Sequence, residues 1–198
     1  MQHDRQVSFG ISIIPKEYIS FGSNEFHAYT PYITINFLPF VEASLRLTRL
    51  INYQGNTQAI GDRTPSLRIR LFEEKGYSPA VVFGLHDLIT AFGGESAVHN
   101  NALYIVTSKH LSFDSFLNEV GLHLGYGVDW MHATNHNFVG LFGGFTLNFL
   151  NVLELMEEFD GTYSNSGIRI KLFNHFSLLS GFLRNKHFSY GASFFFSL

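Results

Sequence analysis

Apolar and polar residues alternate along almost the whole of this 198-residue chain. Successive side chains of an extended strand point to opposite faces, so the alternation predicts strands with one apolar and one polar face. The clearest examples are residues 41–49, 66–74, 120–129, 167–172 and 188–198. A chain built almost entirely from such strands belongs to the all-β class.

Clusters of Gly, Asn, Asp and Ser separate these segments and predict turns. They are Gly22-Ser23-Asn24, Gly55-Asn56, Gly61-Asp62, Lys75-Gly76, Gly93-Gly94, Asn100-Asn101, Thr134-Asn135, Asp160-Gly161, Asn165-Ser166 and Arg184-Asn185. Residues 148–159 lack a clean helical stripe, so we predict a strand there, with Glu154 and Glu158 on one face. Strands of about 10 residues joined by short turns give about 12 strands, an even number as in closed bacterial barrels.

The residue types on the two faces distinguish a membrane barrel from a soluble β domain. A soluble sandwich or lipocalin turns its apolar face inward and covers its polar face with charged residues. Here only 15% of the residues are charged, and the polar face is rich in Gly, Ser, Asn and His. Such a face suits the crowded interior of a barrel whose apolar face meets lipid. We therefore predict an antiparallel up-and-down transmembrane β-barrel, one domain of residues 1–198, with a soluble aromatic-rich β domain as the alternative.

Aromatic residues supply much of the apolar content, with 22 Phe and 9 Tyr. Those near predicted strand ends would form the two girdles at the membrane interfaces. The last predicted strand alternates Phe188, Tyr190, Phe194 and Phe196 up to Leu198. An aromatic series of this kind at the C-terminus is typical of the terminal strand of an outer-membrane barrel.

Charge and cysteine content exclude several other classes. The 13 Lys and Arg residues are scattered singly and the formal net charge is −3, so the chain has no basic patch of the kind that binds nucleic acid. The absence of Cys excludes disulfides, thiolate metal sites and cysteine nucleophiles. No apolar run approaches the roughly 18 residues of a spanning helix, and no motif indicates a cofactor.

The N-terminal segment MQHDRQVSFG lacks the basic start and apolar core of a secretory signal. Either the protein stays inside the cell, or a signal peptide has been removed. We expect the second, with the protein located in the bacterial outer membrane.

The motif His-x-Ser occurs three times, at His110/Ser112, His175/Ser177 and His187/Ser189. Residues i and i+2 of a strand share a face, and barrel-embedded lipid hydrolases pair a histidine with a nucleophilic serine in this way. All three serines fall on the polar face, away from lipid, and no motif supplies a third residue to orient a histidine. We therefore expect no enzymatic activity, with a lipid hydrolase as the alternative.

His132 and His136 lie in the segment 130–136 with the i, i+4 spacing that binds a cation on a helix. The segment contains Asn, which favours a turn over a helix, and no third metal ligand is apparent. We expect no metal site.

Charged residues on the polar faces of the predicted strands form the candidate functional site. They are Glu42, Arg46, Arg68, Arg70, Glu74, Glu154, Glu158, Arg169 and Lys171. Inside a barrel an unpaired charge is costly, so we expect these residues to pair. Such a network would either plug the barrel or line a polar pore that binds sugar hydroxyls or anions. Inward glycines (Gly84, Gly121, Gly125, Gly127, Gly140 and Gly144) likewise either leave room for a passage or accommodate large neighbours.

The central part of the chain also carries a family resemblance. Residues 63–89, RTPSLRIRLFEEKGYSPAVVFGLHDLI, combine an arginine-flanked strand, an acidic pair, a tight turn, a Pro-Ala strand and Gly-x-x-Asp. A Tyr-x-Val-x-Ser-Lys strand follows at 104–109 and the glycine-rich GLHLGYG at 121–127. An acidic-aromatic strand and a Gly-x-Arg strand occupy 153–172. Together these segments resemble the YjbH-type family of outer-membrane exopolysaccharide proteins.

The resemblance implies an outer-membrane β-barrel associated with export of exopolysaccharide or capsule, and we expect it to be non-enzymatic for the reasons given above. Members of that family are usually longer, so a short barrel fits either a conduit or an accessory subunit of a larger envelope assembly. The partners this implies are outer-membrane lipid, polysaccharide and other envelope proteins. A partner surface would need small or polar residues on the lipid-facing side, for which Thr107 and Lys109 are the candidates.

Overall fold

The computed structural model describes residues 5–17, 20–21, 24–25, 27–51, 59–88, 101–130 and 138–197. Its regular structure is almost entirely β. The strands are β1 (Gln6–Ile14), β2 (Ser20–Phe21), β3 (Asn24–Glu25), β4 (Ala28–Leu38), β5 (Val41–Leu50), β6 (Ala59–Phe72), β7 (Ala80–His86), β8 (Ala102–Ser112), β9 (Leu117–Val128), β10 (Gly140–Phe149), β11 (Leu153–Phe159), β12 (Ser164–Leu172), β13 (Phe176–Leu183) and β14 (His187–Ser197). Within the described residues no helix has the length and apolar character needed to cross a membrane.

Strands β1 and β4–β14 form one closed barrel in which every neighbouring pair is antiparallel. Strand β1 closes it by pairing with β14 on one side and β4 on the other. The predicted all-β barrel of about 12 strands is therefore confirmed. Strands β2 and β3 form a separate two-stranded sheet in the connection between β1 and β4.

The two ends of the barrel differ in the length of their connections. The terminal end, where β1 begins and β14 ends, carries the connections 39–40, 73–79, 113–116, 150–152 and 173–175. The opposite end, the loop end, carries the connections 15–27, 51–58, 87–101, 129–139, 160–163 and 184–186. The four longest connections therefore lie together at the loop end.

Three of the tight turns use two successive residues in the left-handed region. These pairs are Leu150-Asn151, Phe173-Asn174 and Arg184-Asn185, with φ between 51° and 59°. Two positive φ values in a row give the turn whose twist matches that of an antiparallel hairpin. The turn predicted at Arg184-Asn185 is thus confirmed.

Two other predicted turns are wrong because their residues lie inside strands. Asn165-Ser166 is part of β12. Gly61-Asp62 is part of β6, where Thr48 pairs with Asp62 and Arg49 with Ile60. Gly61 is therefore the extra residue of a β-bulge, and a glycine inside a strand often marks such a bulge.

Burial is inverted relative to a soluble β protein. Large apolar side chains on the outer face are exposed, as on β9, where Leu122, Leu124 and Tyr126 are 50%, 58% and 58% exposed. The buried residues are largely polar and lie on the inner face, among them Ser8, Thr30, Thr34, Asn36, Glu42 and Thr64. The interior of the barrel, the lumen, is therefore a polar environment enclosed by an apolar wall.

Candidate functional site

The cross-strand register fixes which charged residues face the lumen. Asn36 pairs with Glu42, Glu42 with Arg68, Arg68 with Gly84, and Gly84 with Tyr104, so all five lie on one face. Buried Asn36 and Glu42 identify this as the inner face. By the same register the inner face carries these predicted site residues: Glu42, Arg46, Arg68, Arg70, Glu154, Glu158, Arg169 and Lys171.

One ion pair joins β5 and β6. Arg68 Nη2 lies 2.8 Å from Glu42 Oε1, and the Glu42 side chain is 2% exposed while that of Arg68 is 41% exposed. The Glu42 carboxylate is thus buried in the barrel wall, and the Arg68 guanidinium lies between it and the lumen. Arg46 and Arg68 also both lie close enough to His86 on β7 to interact with it electrostatically.

A second cluster joins β11 and β12 elsewhere in the wall. Arg169 Nη1 lies 2.7 Å from Glu154 Oε1, and Lys171 Nζ lies 3.0 Å from Glu154 Oε2. One carboxylate thus holds two cations, each with its own oxygen. Glu154 is 9% exposed, whereas the side chains of Arg169 and Lys171 are 37% and 35% exposed.

Both clusters join hydrogen-bonded neighbouring strands, so these ion pairs follow the wall and do not cross the barrel. Arg46 and Glu158, also on the inner face, are exposed. Exposure of inward-pointing side chains requires space that water can enter. The lumen therefore has room for water beside charges of both signs.

Inward glycines accommodate large side chains on neighbouring strands. A Cβ at Gly84 would overlap the ring of Tyr104, and one at Gly125 would overlap the ring of Phe142. These two rings lie 5.7 Å apart between centroids, and Phe138 lies 5.6 Å from Tyr104 and 5.3 Å from Phe142. Inward glycines could either leave room for a passage or accommodate large neighbours, and Gly84 and Gly125 accommodate aromatic rings. Tyr104, Phe138 and Phe142 are called the aromatic cluster below.

Glu74 differs from the other predicted site residues because it lies beyond the end of β6, which ends at Phe72. Arg70 pairs with Val82 and Phe72 with Val81, so Leu71 is an extra residue that shifts the alternation by one. Glu74 follows the end of β6 and lies at the rim of the terminal end. There it accepts hydrogen bonds from Lys109 Nζ at 2.7 Å and from the backbone N–H of His110 at 2.9 Å.

The surroundings of Glu74 stabilise its charged form. A third hydrogen bond joins its Oε2 to His110 Nδ1 at 2.8 Å. Burial acts to raise the pKa of Glu74, but the hydrogen bonds from Lys109 and His110 outweigh it and lower the pKa from 4.5 to about 2. Lys109 Nζ also donates to the carbonyl of Gly76 at 2.5 Å.

These contacts also satisfy the outward polar residues considered for a partner surface. Lys109 is held by the 73–79 connection, and Thr107 Oγ1 donates to the Leu124 carbonyl at 3.2 Å. Arg70 lies at the same end of the barrel and donates to the carbonyl of Pro39. The Thr107 and Lys109 side chains therefore serve intramolecular contacts.

Histidine–serine hydrogen bonds do occur in the lumen, but across strands. Ser66 Oγ lies 2.9 Å from His86 Nδ1, and Ser108 Oγ lies 2.9 Å from His123 Nδ1. Two serines of the His-x-Ser motifs have other partners, since Ser177 shares a hydrogen bond with Ser193 and Ser189 donates to the Ile13 carbonyl. The alternation places His86 and His123 on the polar face, but their partners depend on strand register, which the sequence alone does not provide.

The segment predicted not to bind metal falls mostly outside the described residues, which include neither His132 nor His136. Within the described ranges, no group of three or more His, Cys, Asp or Glu is arranged to hold a metal ion. That finding leaves the 131–137 segment untested.

Comparison with known proteins now connects this barrel to a family. The YjbH family model, described as exopolysaccharide biosynthesis protein YbjH, matches residues 13–194. A search of curated proteins finds no match. The matched range begins within β1 and ends within β14, so it covers nearly the entire barrel. The chain belongs to the YjbH exopolysaccharide biosynthesis family.

Proposed function

We propose that this protein is a non-enzymatic outer-membrane barrel whose lumen serves as a conduit in exopolysaccharide or capsule export. The observation that carries the proposal is the inverted burial, with an exposed apolar outer wall around a charged lumen that has room for water. Water is a poor solvent for such an outer wall, whereas lipid solvates it. The family match supports a role in exopolysaccharide biosynthesis.

The exposed aromatic residues support insertion in a membrane. Phe40, Phe113, Phe116 and Phe173 lie in or beside connections at the terminal end and are 50%, 46%, 69% and 88% exposed. Trp130 and Tyr163 lie at the loop end and are 47% and 40% exposed. Aromatic residues at both ends of an apolar wall match the two interfacial girdles of a membrane barrel.

The asymmetry of the connections supports one orientation. Outer-membrane barrels have short periplasmic turns and longer extracellular loops. The terminal end of this barrel would accordingly face the periplasm, and the loop end would face outward.

The chemistry of the lumen supports passage of polar molecules. Arg68, Arg169 and Lys171 present partly exposed cations whose carboxylate partners are buried in the wall. Guanidinium and ammonium groups in this position can donate hydrogen bonds to sugar hydroxyls and to anionic groups. A polysaccharide passing through the lumen would then make many weak contacts, as conduction through a pore requires.

The aromatic cluster favours a second candidate, an accessory subunit without transport of its own. Its three rings occupy the inner side of β8 and β10 near the loop end. A 12-stranded barrel is only moderately wide, so rings on one side of the wall narrow the path. In this role the barrel would support another envelope protein.

Membrane insertion can be tested directly. Cells that produce the full chain behind a signal peptide for export are fractionated, and the outer-membrane fraction is run unheated and heated on a detergent gel. We expect the protein in that fraction and a faster unheated band, because a folded barrel resists detergent. A chain found in the soluble fraction, with a single band position, would refute the proposal.

Planar-bilayer conductance separates the conduit from the accessory subunit. We expect the parent to conduct, Arg68→Ala and Arg169→Ala to change its ion selectivity, and Tyr104→Ala with Phe142→Ala to raise its conductance. Lys75→Ala is the matched control, since this cation lies in the 73–79 connection and is 81% exposed. If the parent and all variants insert into the bilayer but none conducts, the result would favour the accessory subunit.

The non-enzymatic part of the proposal has its own test. Purified protein is incubated with phospholipid and with lipid A, and hydrolysis products are measured. We expect none. Hydrolysis that disappears in Ser108→Ala or Ser112→Ala, but persists in Ser193→Ala, would contradict the proposal.

A further inference from the structure

The basic residues on the barrel strands differ in whether they have partners. Within the described residues, all but two of them contact another group of the chain. The partnered residues are Arg46, Arg68, Arg70, Lys109, Arg169 and Lys171. Arg49 and Arg63 make no ion pair and no side-chain hydrogen bond with any residue that the structure describes.

These two arginines are neighbours on the outer face. Arg63 on β6 pairs with Leu47 on β5, and Arg49 follows Leu47 by two residues. Residues related in this way are diagonal neighbours about 7–8 Å apart. Arg63 is exposed and Arg49 is partly exposed, so two guanidinium groups can reach one ligand from outside the barrel.

Their position along the barrel is at the edge of the apolar wall. Toward the terminal end, the outer face continues with Leu45 and Leu67, and toward the loop end lies the 51–58 connection. Tyr29 on β4 pairs with Arg49, so a ring with a polar tip stands beside the cations. In a membrane barrel this level is the interface between hydrocarbon and headgroups.

The acidic residue that precedes Arg63 in sequence does not form an ion pair with either arginine. Asp62 pairs with Thr48 and belongs to the opposite, inner face. Its carboxylate accepts hydrogen bonds from the Arg63 backbone N–H at 2.7 Å and from Thr64 Oγ1 at 3.1 Å. The bulge at Gly61 lies between Asp62 and Ile60, the residue that pairs with Arg49.

We propose that Arg49 and Arg63 form a binding site for the phosphate of a lipid headgroup in the leaflet at the loop end. The inference rests on the proposed membrane location. Guanidinium groups match phosphate oxygens in a bidentate geometry, and basic residues at a membrane surface attract anionic lipids. The site would fix a lipid at the β5–β6 hairpin and hold the barrel at a set depth.

Native mass spectrometry of the full chain in dodecyl maltoside micelles can test this. The probes are lipid A with two phosphates and dephosphorylated lipid A with the same acyl chains. The variant is R49Q/R63Q, and the matched control is R5Q/K75Q, which removes the same charge at the terminal end. We expect the parent and the control to retain bisphosphorylated lipid A about 30-fold more tightly than the variant, and R49K/R63K to bind with intermediate strength.

Equal retention by the parent and R49Q/R63Q would overturn the inference, as would equal retention of the two lipids by the parent. Release of the lipid by excess inorganic phosphate would also overturn it, because the site would then recognise free phosphate. The heat-dependent gel shift checks that each variant folds. A parent without that shift refutes the proposed membrane function itself, whereas a folded parent without phosphate selectivity refutes the lipid site alone.

Discussion

At Glu74 three hydrogen bonds meet on one carboxylate, and they attach the 73–79 connection to β8. The pKa of Glu74 is lowered from 4.5 to about 2, so the folded state binds this proton more weakly than the unfolded state. The stabilisation is therefore complete above pH 4.5 and is lost as the pH falls toward 2. We expect Glu74→Gln to lower the free energy of unfolding by about 1 kcal/mol at pH 7.

Urea unfolding of the detergent-refolded protein at pH 7 and pH 3 measures this effect. The difference between the parent and Glu74→Gln should shrink at the lower pH. Glu73→Gln is the matched control, because Glu73 is 62% exposed and lies 3.8 Å from Lys75. A pH-independent difference, or an equal loss in the control, would contradict the role assigned to Glu74.

The Glu42–Arg68 pair predicts an unequal response to loss of either partner. Glu42 is almost fully buried, whereas Arg68 is 41% exposed to the lumen. Arg68→Gln leaves a buried carboxylate without its main cation, which costs about 3 kcal/mol. Glu42→Gln leaves an arginine that water can solvate, so we expect a loss of about 1 kcal/mol. Urea unfolding of both single variants and of the double variant Glu42→Gln/Arg68→Gln measures these losses and completes a double-mutant cycle. Equal losses of unfolding free energy in the two single variants would show that water in the lumen does not solvate Arg68.

At the scale of strand pairs, inward glycines create the space for aromatic rings. A methyl group at Gly84 would overlap the Tyr104 ring, so we expect Gly84→Ala to destabilise the barrel by about 1–3 kcal/mol. In the Tyr104→Ala variant the ring is absent, so Gly84→Ala should cause little further loss of stability. Gly181→Ala is the control, since its added Cβ would lie 3.1 Å from the nearest atom, the Ser166 carbonyl oxygen. Equal costs in both backgrounds, measured as free energies of unfolding, would rule out this steric explanation.

Strand faces could be predicted from the sequence because alternation is a local property. On β11 the register places Glu154 and Glu158 on the same face, and it pairs Glu154 with Arg169 on β12. The alternation fails where one extra residue interrupts the pairing, as at Gly61 and at Leu71. Such bulges, and the register that brings Ser108 to His123, depend on contacts between strands. A single sequence contains no direct signal for these contacts.

At the scale of the whole molecule, the inverted burial makes a prediction about introduced charges. The loss of unfolding free energy should depend on whether the charge lies on the apolar outer face of a strand or in a turn at the end of the barrel. Leu124 lies on the outer face of β9 and is 58% exposed, and Leu150 lies in a turn at the terminal end and is 68% exposed. In a soluble protein, both exposed leucines would tolerate arginine. In a bilayer, Leu124→Arg should cost about 2–4 kcal/mol and Leu150→Arg about 0–1 kcal/mol, because only the first places the charge in hydrocarbon. Urea unfolding from phosphatidylcholine vesicles compares the two variants with the parent. Equal, small costs would mean that the apolar wall of this barrel does not face lipid.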